Sequence, residues 1–344
     1  MTRVRVGFTG DVMFGRNVDR RQRRRPVDAV WGDLLGRLRR LDGLVINLEC
    51  ALSTRGSEWT ETSRPFHFRA DPDWAVPALD RAGVDCCTLA NNHVLDYGDV
   101  ALDDTLDALD AGGFAHAGAG RDVDAAARPA TFEVGGLDVT VVSLTDNTPE
   151  YAATTENAGT AYVELDADPE TETETGGVPG VAAGSRPTVE RVLAAARATE
   201  PDLLVASLHL GPNMVERPSR AEERFARWLV DGGVDVVHGH SAHVFNGVAV
   251  RDGSVLLYDT GDFVDDYAVD ATLRNDRSFL FVVTVDAGVP RELRLVPVRI
   301  SDCAVHEAMG RDARWCRRTM RERSERYGTT FRRAGEALVL ALDG

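Results

Sequence analysis

Five short apolar runs in this chain each lead to a side chain that can hold a metal ion or move a proton. Residues 3–9 lead to Asp11, 44–46 to Glu49, 83–90 to Asn92 and His93, 203–208 to His209, and 234–237 to His240 and His243. Each run is β-branched or alternating and is bounded by turn residues, the pattern of a buried strand. Between them lie segments with apolar residues at helical spacing, such as Val30, Trp31, Leu34, Leu35, Leu38 and Leu41. Strands alternating with helices specify an α/β fold. If the strands are parallel neighbours, their ends share one edge of a sheet, where ligands bind.

The richest junction is residues 88–98, which read TLANNHVLDYG. It places two amides, an imidazole and a carboxylate where a strand ends and a helix begins. Asparagine and histidine ligate metals through neutral atoms, and Asp96 is spaced to orient the ring of His93. The same residues also make a good turn, so the other junctions decide. Of eight histidines, His93, His209, His240 and His243 sit at junctions. His67, His116, His238 and His306 are read as hydrogen-bonded structural imidazoles. Mixed nitrogen and oxygen donors suit zinc, manganese or iron, and a shared carboxylate can bridge two ions.

Charge narrows the function classes. The net charge is −16, with 55 acidic residues, and all 39 basic residues are arginine. That balance argues against a nucleic-acid binder, which carries a basic face. It fits adaptation to molar salt, where counterions screen a carboxylate surface. The run at 20–25 reads as a solvated face. No apolar run approaches a membrane span, and residues 1–8 enter a strand directly without a signal-peptide pattern, so a cytoplasmic location is expected. Five cysteines without paired spacing give no disulfide framework or zinc ribbon.

Along the chain, 54–69 reads as a polar loop over the site, and 27–41, 71–82, 187–198 and 219–229 as helices. Residues 130–134 with 137–144, and 244–250 with 255–258, read as hairpins. Order is weak over 146–184, and 164–184 is expected to be a flexible acidic loop. Residues 311–326 and 330–342 read as surface helices, making 308–344 a C-terminal helical extension. With 43% hydrophobic residues and no strong linker, 1–344 is expected to form one domain.

Six blocks together resemble the CapA, or poly-gamma-glutamate capsule biosynthesis, family, relatives of the calcineurin-like metallophosphoesterases. They are GDVMFGR at 10–16, NLE at 47–49, LANNHVLDYG at 89–98, HLG at 209–211, GHSAH at 239–243 and YDTGDF at 258–263, within 4–265. The resemblance implies a four-layer αββα sandwich of two mixed sheets flanked by helices. It assigns metal binding to Asp11, Glu49, Asn92, His209, His240 and His243, with one or two divalent manganese, zinc or iron ions. It assigns proton transfer to His93 held by Asp96, and substrate contact to Arg16, Asn91 and Asn213. A metal-bound hydroxide would attack a phosphoryl or acyl centre. The anionic substrate would be poly-gamma-glutamate or a phosphoester. Two alternatives are a non-catalytic metal- or polymer-binding protein of the same fold and an amide hydrolase. Departures from the family pattern are Leu210 for tryptophan and Asp262 for asparagine. Dimetal phosphoesterases carry histidine where this chain has Met13, and a bridging aspartate where it has Glu49.

Overall fold

The computed structural model describes residues 3–166 and 177–342. At its centre lies the strand Val4–Val12, buried throughout except at Arg5. An almost unbroken apolar run of this kind suits a strand covered on both faces. Parallel to it run Gly43–Leu48, then Cys86–Thr88, then Ala115–Ala117. On its other side Arg277–Asp286 pairs antiparallel and continues the sheet into Val289–Ser301 and Ala337–Ala341. The short strand Asp262–Val264 also pairs with it, in parallel, and the sheet holds ten strands.

A second sheet has six strands. Leu137–Thr145, Leu203–His209, Val236–His240 and Ser254–Leu257 are parallel, and Ala130–Val134 and Val248–Arg251 close its edges antiparallel. Val6, Phe8, Val45 and Phe281 of the first sheet share one apolar cluster with Val141, Val205, Val236 and Val255 of the second. The opposite face of the first sheet packs on Pro72–Ala82 and Asp99–Gly112 through Ala75, Leu79, Leu102 and Leu106. The opposite face of the second packs on Arg186–Arg197 and Arg220–Asp231 through Val189, Leu193, Phe225 and Leu229. The fold is mixed α/β with mixed sheets, and no described helix is long and apolar enough to cross a membrane.

Local signals account for helix ends. Asp71 accepts from the Asp73 amide ahead of Pro72, and Gly83 closes that helix at φ +74°. Ser219 and Glu222 form a reciprocal capping box.

Three expectations are corrected. Residues 330–342 are not helical: Arg332–Ala334 and Ala337–Ala341 form a hairpin, and the latter adds to the large sheet. Val339 favours a strand and the free edge of Val289–Ser301 is there to join, so tertiary pairing overrides helical spacing. The C-terminal extension is therefore one helix, Gly310–Ser324, followed by a hairpin. Residues 27–34 form 3₁₀ turns broken at Gly32, which sits at φ +47°, with the Val305 carbonyl only 2.4 Å from where a Cβ would stand. Much of 146–166 is ordered: Tyr151 is buried and Gly159–Thr160 pairs with Ala119–Gly120. Of the acidic loop expected over 164–184, residues 167–176 lie outside the described residues. Its flanks are packed, with Leu165 bridged to Val181 and Val178 buried.

Candidate metal centre

Register delivers the site. On the first sheet Asp11 stands beside Asn47 on one neighbour and Asp262 on the other. On the second sheet His209 stands beside His240. Gly10 permits the crowding: a Cβ there would lie 2.0 Å from the Gly261 carbonyl oxygen, which accepts from the Asp11 amide at 2.8 Å.

Two groups of buried side chains result, each with its donor atoms within 4.8 Å of one another. One is Asp11, His209 and His240; the other is Asp11, Glu49, His243 and Asp262. Asp11 belongs to both groups, and Glu49 to the second. The Nδ1 atoms of His209 and His240 lie 2.8 Å apart, and 3.9 and 3.6 Å from Asp11 Oδ1. Their far nitrogens are held: His209 Nε2 is 3.0 Å from Asn92 Oδ1, and His240 Nε2 is 2.8 Å from Ser207 Oγ. Rings oriented in this way are typical of metal ligands. His243 Nδ1 lies 2.8 Å from Asp262 Oδ1 and 3.5 Å from Asp11 Oδ2. His243 itself adopts φ +59° and Ser241 φ +117°, in a loop pinned by Asp259, whose carboxylate accepts from the Ala242 and Gly261 amides.

Asp11 Oδ2, Glu49 Oε1 and Asp262 Oδ2 are buried without a hydrogen-bond partner. Three such oxygens in one place are costly in a folded protein unless a cation meets them, so the residues present fit divalent metal. Burial alone would raise the Asp11 carboxyl, but His243, His209 and His240 outweigh it and hold it well below the usual carboxylate range. Burial and the Asp11 charge push Glu49 well up. Burial lowers His209 to about 4 and His240 well below its usual value. Burial opposes charge on His243 too, yet Asp262, Glu49 and Asp11 raise it well above the usual value.

His93 belongs to neither group but adjoins the second, with Nε2 3.9 Å from Glu49 Oε1. Its Nδ1 is 2.6 Å from Asp96 Oδ2, and its ring stacks on Phe68 at 3.8 Å. Asp96 also accepts from the Phe68 amide and the Tyr151 hydroxyl. Burial lowers the His93 pKa against the pull of Asp96. A cavity of about 350 Å³ opens above, lined by His93, His243, Phe68, Tyr267, Arg16 and Asn213 among others. Arg16 lies 4.9 Å over the Phe66 ring and 3.4 Å from Asp266. Asn91 is not on the cavity: its amide is spent on Asn47, the Leu48 carbonyl and the His93 amide. Met13 is wholly buried, and its sulfur accepts from the Gly15 amide.

Sequence reasoning omitted Asp262, Asn47, Ser207 and Tyr267 from the site. Asp262 and Asn47 lie inside blocks already singled out, so their position was a usable signal. Tyr267, whose hydroxyl is 3.4 Å from Glu49 Oε2, carries no local signal.

A family profile described as "Bacterial capsule synthesis protein PGA_cap" matches residues 5–267. The chain belongs to this family. It is 32% identical over 312 residues to a probable polyglutamine synthesis accessory protein of Mycobacterium tuberculosis, covering 87% of this chain and 77% of that one. It is 25% identical to the PGA biosynthesis protein CapA of Bacillus subtilis, covering 76% and 63%. Against the capsule biosynthesis protein CapA of Bacillus anthracis, identity is 26%, covering 77% and 60%. The PGA_cap span includes both metal-ligand groups; helix Gly310–Ser324 and the terminal hairpin lie beyond it.

Proposed function

We propose that this CapA-family chain is a metal-dependent hydrolase of an anionic substrate in poly-gamma-glutamate metabolism, built as a four-layer αββα metallophosphoesterase-like sandwich. One observation carries the reading: three unpartnered buried carboxylate oxygens beside facing imidazoles, under a cavity edged by Arg16. Asp11, His209 and His240 would hold one ion, with the Asn92 amide oxygen, 3.0 Å from His209 Nε2, as a further ligand. Asp11, Glu49, His243 and Asp262 would hold a second. Bound metal supplies Lewis acidity toward a phosphoryl or amide oxygen and activates water at neutral pH.

The remaining work falls to the protein's own groups. Asp96 fixes the His93 ring through Nδ1, which leaves Nε2 to take up a proton and return it to the leaving group. Arg16 holds an anionic oxygen of the substrate, and Asn213 offers it an amide hydrogen bond. Phe68 and Tyr267 exclude water from the ligand side. Asn91 keeps the His93 loop in place. The relatives' names in polyglutamine, PGA and capsule synthesis support the polymer link.

The test is elemental analysis of purified protein, then turnover on phosphoesters and gamma-glutamyl amides with added manganese. Bound transition metal with turnover in either class is expected. Protein that holds no metal would overturn the reading. A second reading, a metal-holding protein that binds polymer without cutting it, is favoured by Met13, which puts a core side chain where dimetal phosphoesterases carry histidine. Metal without turnover across the panel selects that reading.

A further inference from the structure

Outside the metal centre, a surface groove of about 960 Å³ lies beside helix Gly310–Ser324. Eight arginines line it against two acids, in a chain whose net charge is −16. Arg311, Arg314, Arg318 and Arg321 follow helical spacing and so form one stripe. Like charges at such spacing destabilise a helix, and Glu322, 3.7 Å from Arg318, offsets only part of that cost. Arg311 and Arg314 are exposed and have no ion-pair partner among the described residues. The opposite wall is fixed. Arg274, at φ +54°, forks onto Asp276 at 2.8 and 2.7 Å. Arg277 lies over Trp315 and pairs with Asp312 at 2.5 Å, while its buried Nε has no hydrogen-bond partner.

The groove also has a position. Phe8 pairs with Phe281 in an antiparallel ladder, so Arg277 falls at the end of the sheet that carries Asp11. Arg274 and Arg277 line the groove, whereas Asn275 between them lines the cavity over the metal centre. One four-residue segment therefore separates the two.

We propose that this arginine groove is a second anion site, which binds a stretch of carboxylate-rich polymer alongside the metal centre. Guanidinium forks match carboxylates geometrically, and the groove already pairs Arg274 with Asp276 in that way. The groove's aromatic ring, Trp315, already carries the Arg277 guanidinium 5.2 Å from its centroid. The identity of the polymer rests on the proposed function; the anion chemistry of the groove does not.

The experiment is fluorescence anisotropy of labelled poly-gamma-glutamate with the full-length, metal-loaded protein, at a salt concentration where circular dichroism shows it folded. Reversing Arg311→Glu, Arg314→Glu and Arg318→Glu together should weaken binding by at least about tenfold, because each reversal removes a fork and adds repulsion. Metal content and turnover of a short substrate should stay at wild-type levels. The milder pair Arg311→Gln and Arg314→Gln should shift affinity in the same direction, which covers misfolding of the triple variant. Unchanged affinity in both variants would overturn the proposal. So would duplex DNA displacing the polymer at equal charge concentration, since that marks a general polyanion surface. Wild-type protein that binds polymer through the groove but turns over no substrate refutes the hydrolase and leaves the groove standing.

Discussion

At the scale of single residues, the two proposed roles, metal binding and proton transfer, make separable predictions. His240 presents Nδ1 to Asp11 and His209, so His240→Ala removes a donor and should lower both metal content and turnover. His93 belongs to neither group, although its Nε2 lies 3.9 Å from Glu49 Oε1, so His93→Ala should keep metal near wild type while turnover falls by about 10²–10⁴-fold, the usual worth of general acid–base catalysis. Metal per chain and turnover on one substrate check both; metal loss in His93→Ala as complete as in His240→Ala would make His93 a ligand. Asp262 belongs to only one group, so Asp262→Asn should lower metal per chain by about one ion while the Asp11–His209–His240 group keeps its own. An unchanged stoichiometry would remove Asp262 from the centre. Asp11, Glu49, His209, His240 and His243 were legible because each follows a strand that sequence pattern reveals. Asp262 lay in the 258–263 block and was passed over, because its role shows only once pairing with the first strand brings it to Asp11. Asn91 was read as a substrate contact because a turn's sequence does not say which amide faces inward.

At the scale of elements, strand ends position the chemistry and close backbone approach sets the spacing. Gly10→Ala would drive a Cβ into the Gly261 carbonyl, displacing the segment that carries Asp262. Overpacking of this kind costs about 1–3 kcal/mol, and the displaced Asp262 should also lower metal content. Gly36→Ala is the control: its nearest neighbour is the Arg40 guanidinium at 3.7 Å, and the site is helical. It should be neutral or stabilise by up to about 1 kcal/mol. Urea unfolding of both variants checks the pair, and equal stability would show that the 10–261 contact is slack. The alternation of strands and helices was legible over residues 3–258 because buried parallel strands are continuous apolar runs. The terminal hairpin was not: Ala337, Leu338 and Leu340 suit either period, and the free edge of Val289–Ser301 made the choice. Helical propensity in a short segment is a weak prior against a long-range ladder.

For the whole molecule, charge is the property that composition reveals and topology redistributes. The sequence argued against a basic face, yet the C-terminal helix gathers arginines that are scattered in the overall count into one groove. The rest of the surface is correspondingly more acidic than −16 suggests. Arginine–carboxylate pairs offset some of it, as at Arg121 with Asp103 and Asp107, but exposed pairs contribute only about 0–1 kcal/mol each. The remaining self-repulsion opposes folding at low ionic strength and is screened once the Debye length falls to about 3 Å near 1 M salt. The expected outcome is a melting temperature that rises from 0.1 M toward molar KCl. With unfolding entropy near 2 cal/mol/K per residue, each kcal/mol returned by screening moves the midpoint by about 1–2 °C in a chain of this size. Chloride is the right salt for the scan, because sulfate and sugars stabilise by exclusion from any protein surface. A non-electrolyte at matched osmolality supplies the comparison: screening predicts a rise in KCl well beyond the rise it produces. Equal rises in both would assign the effect to exclusion, and a flat midpoint in KCl would end the case for adaptation to molar salt.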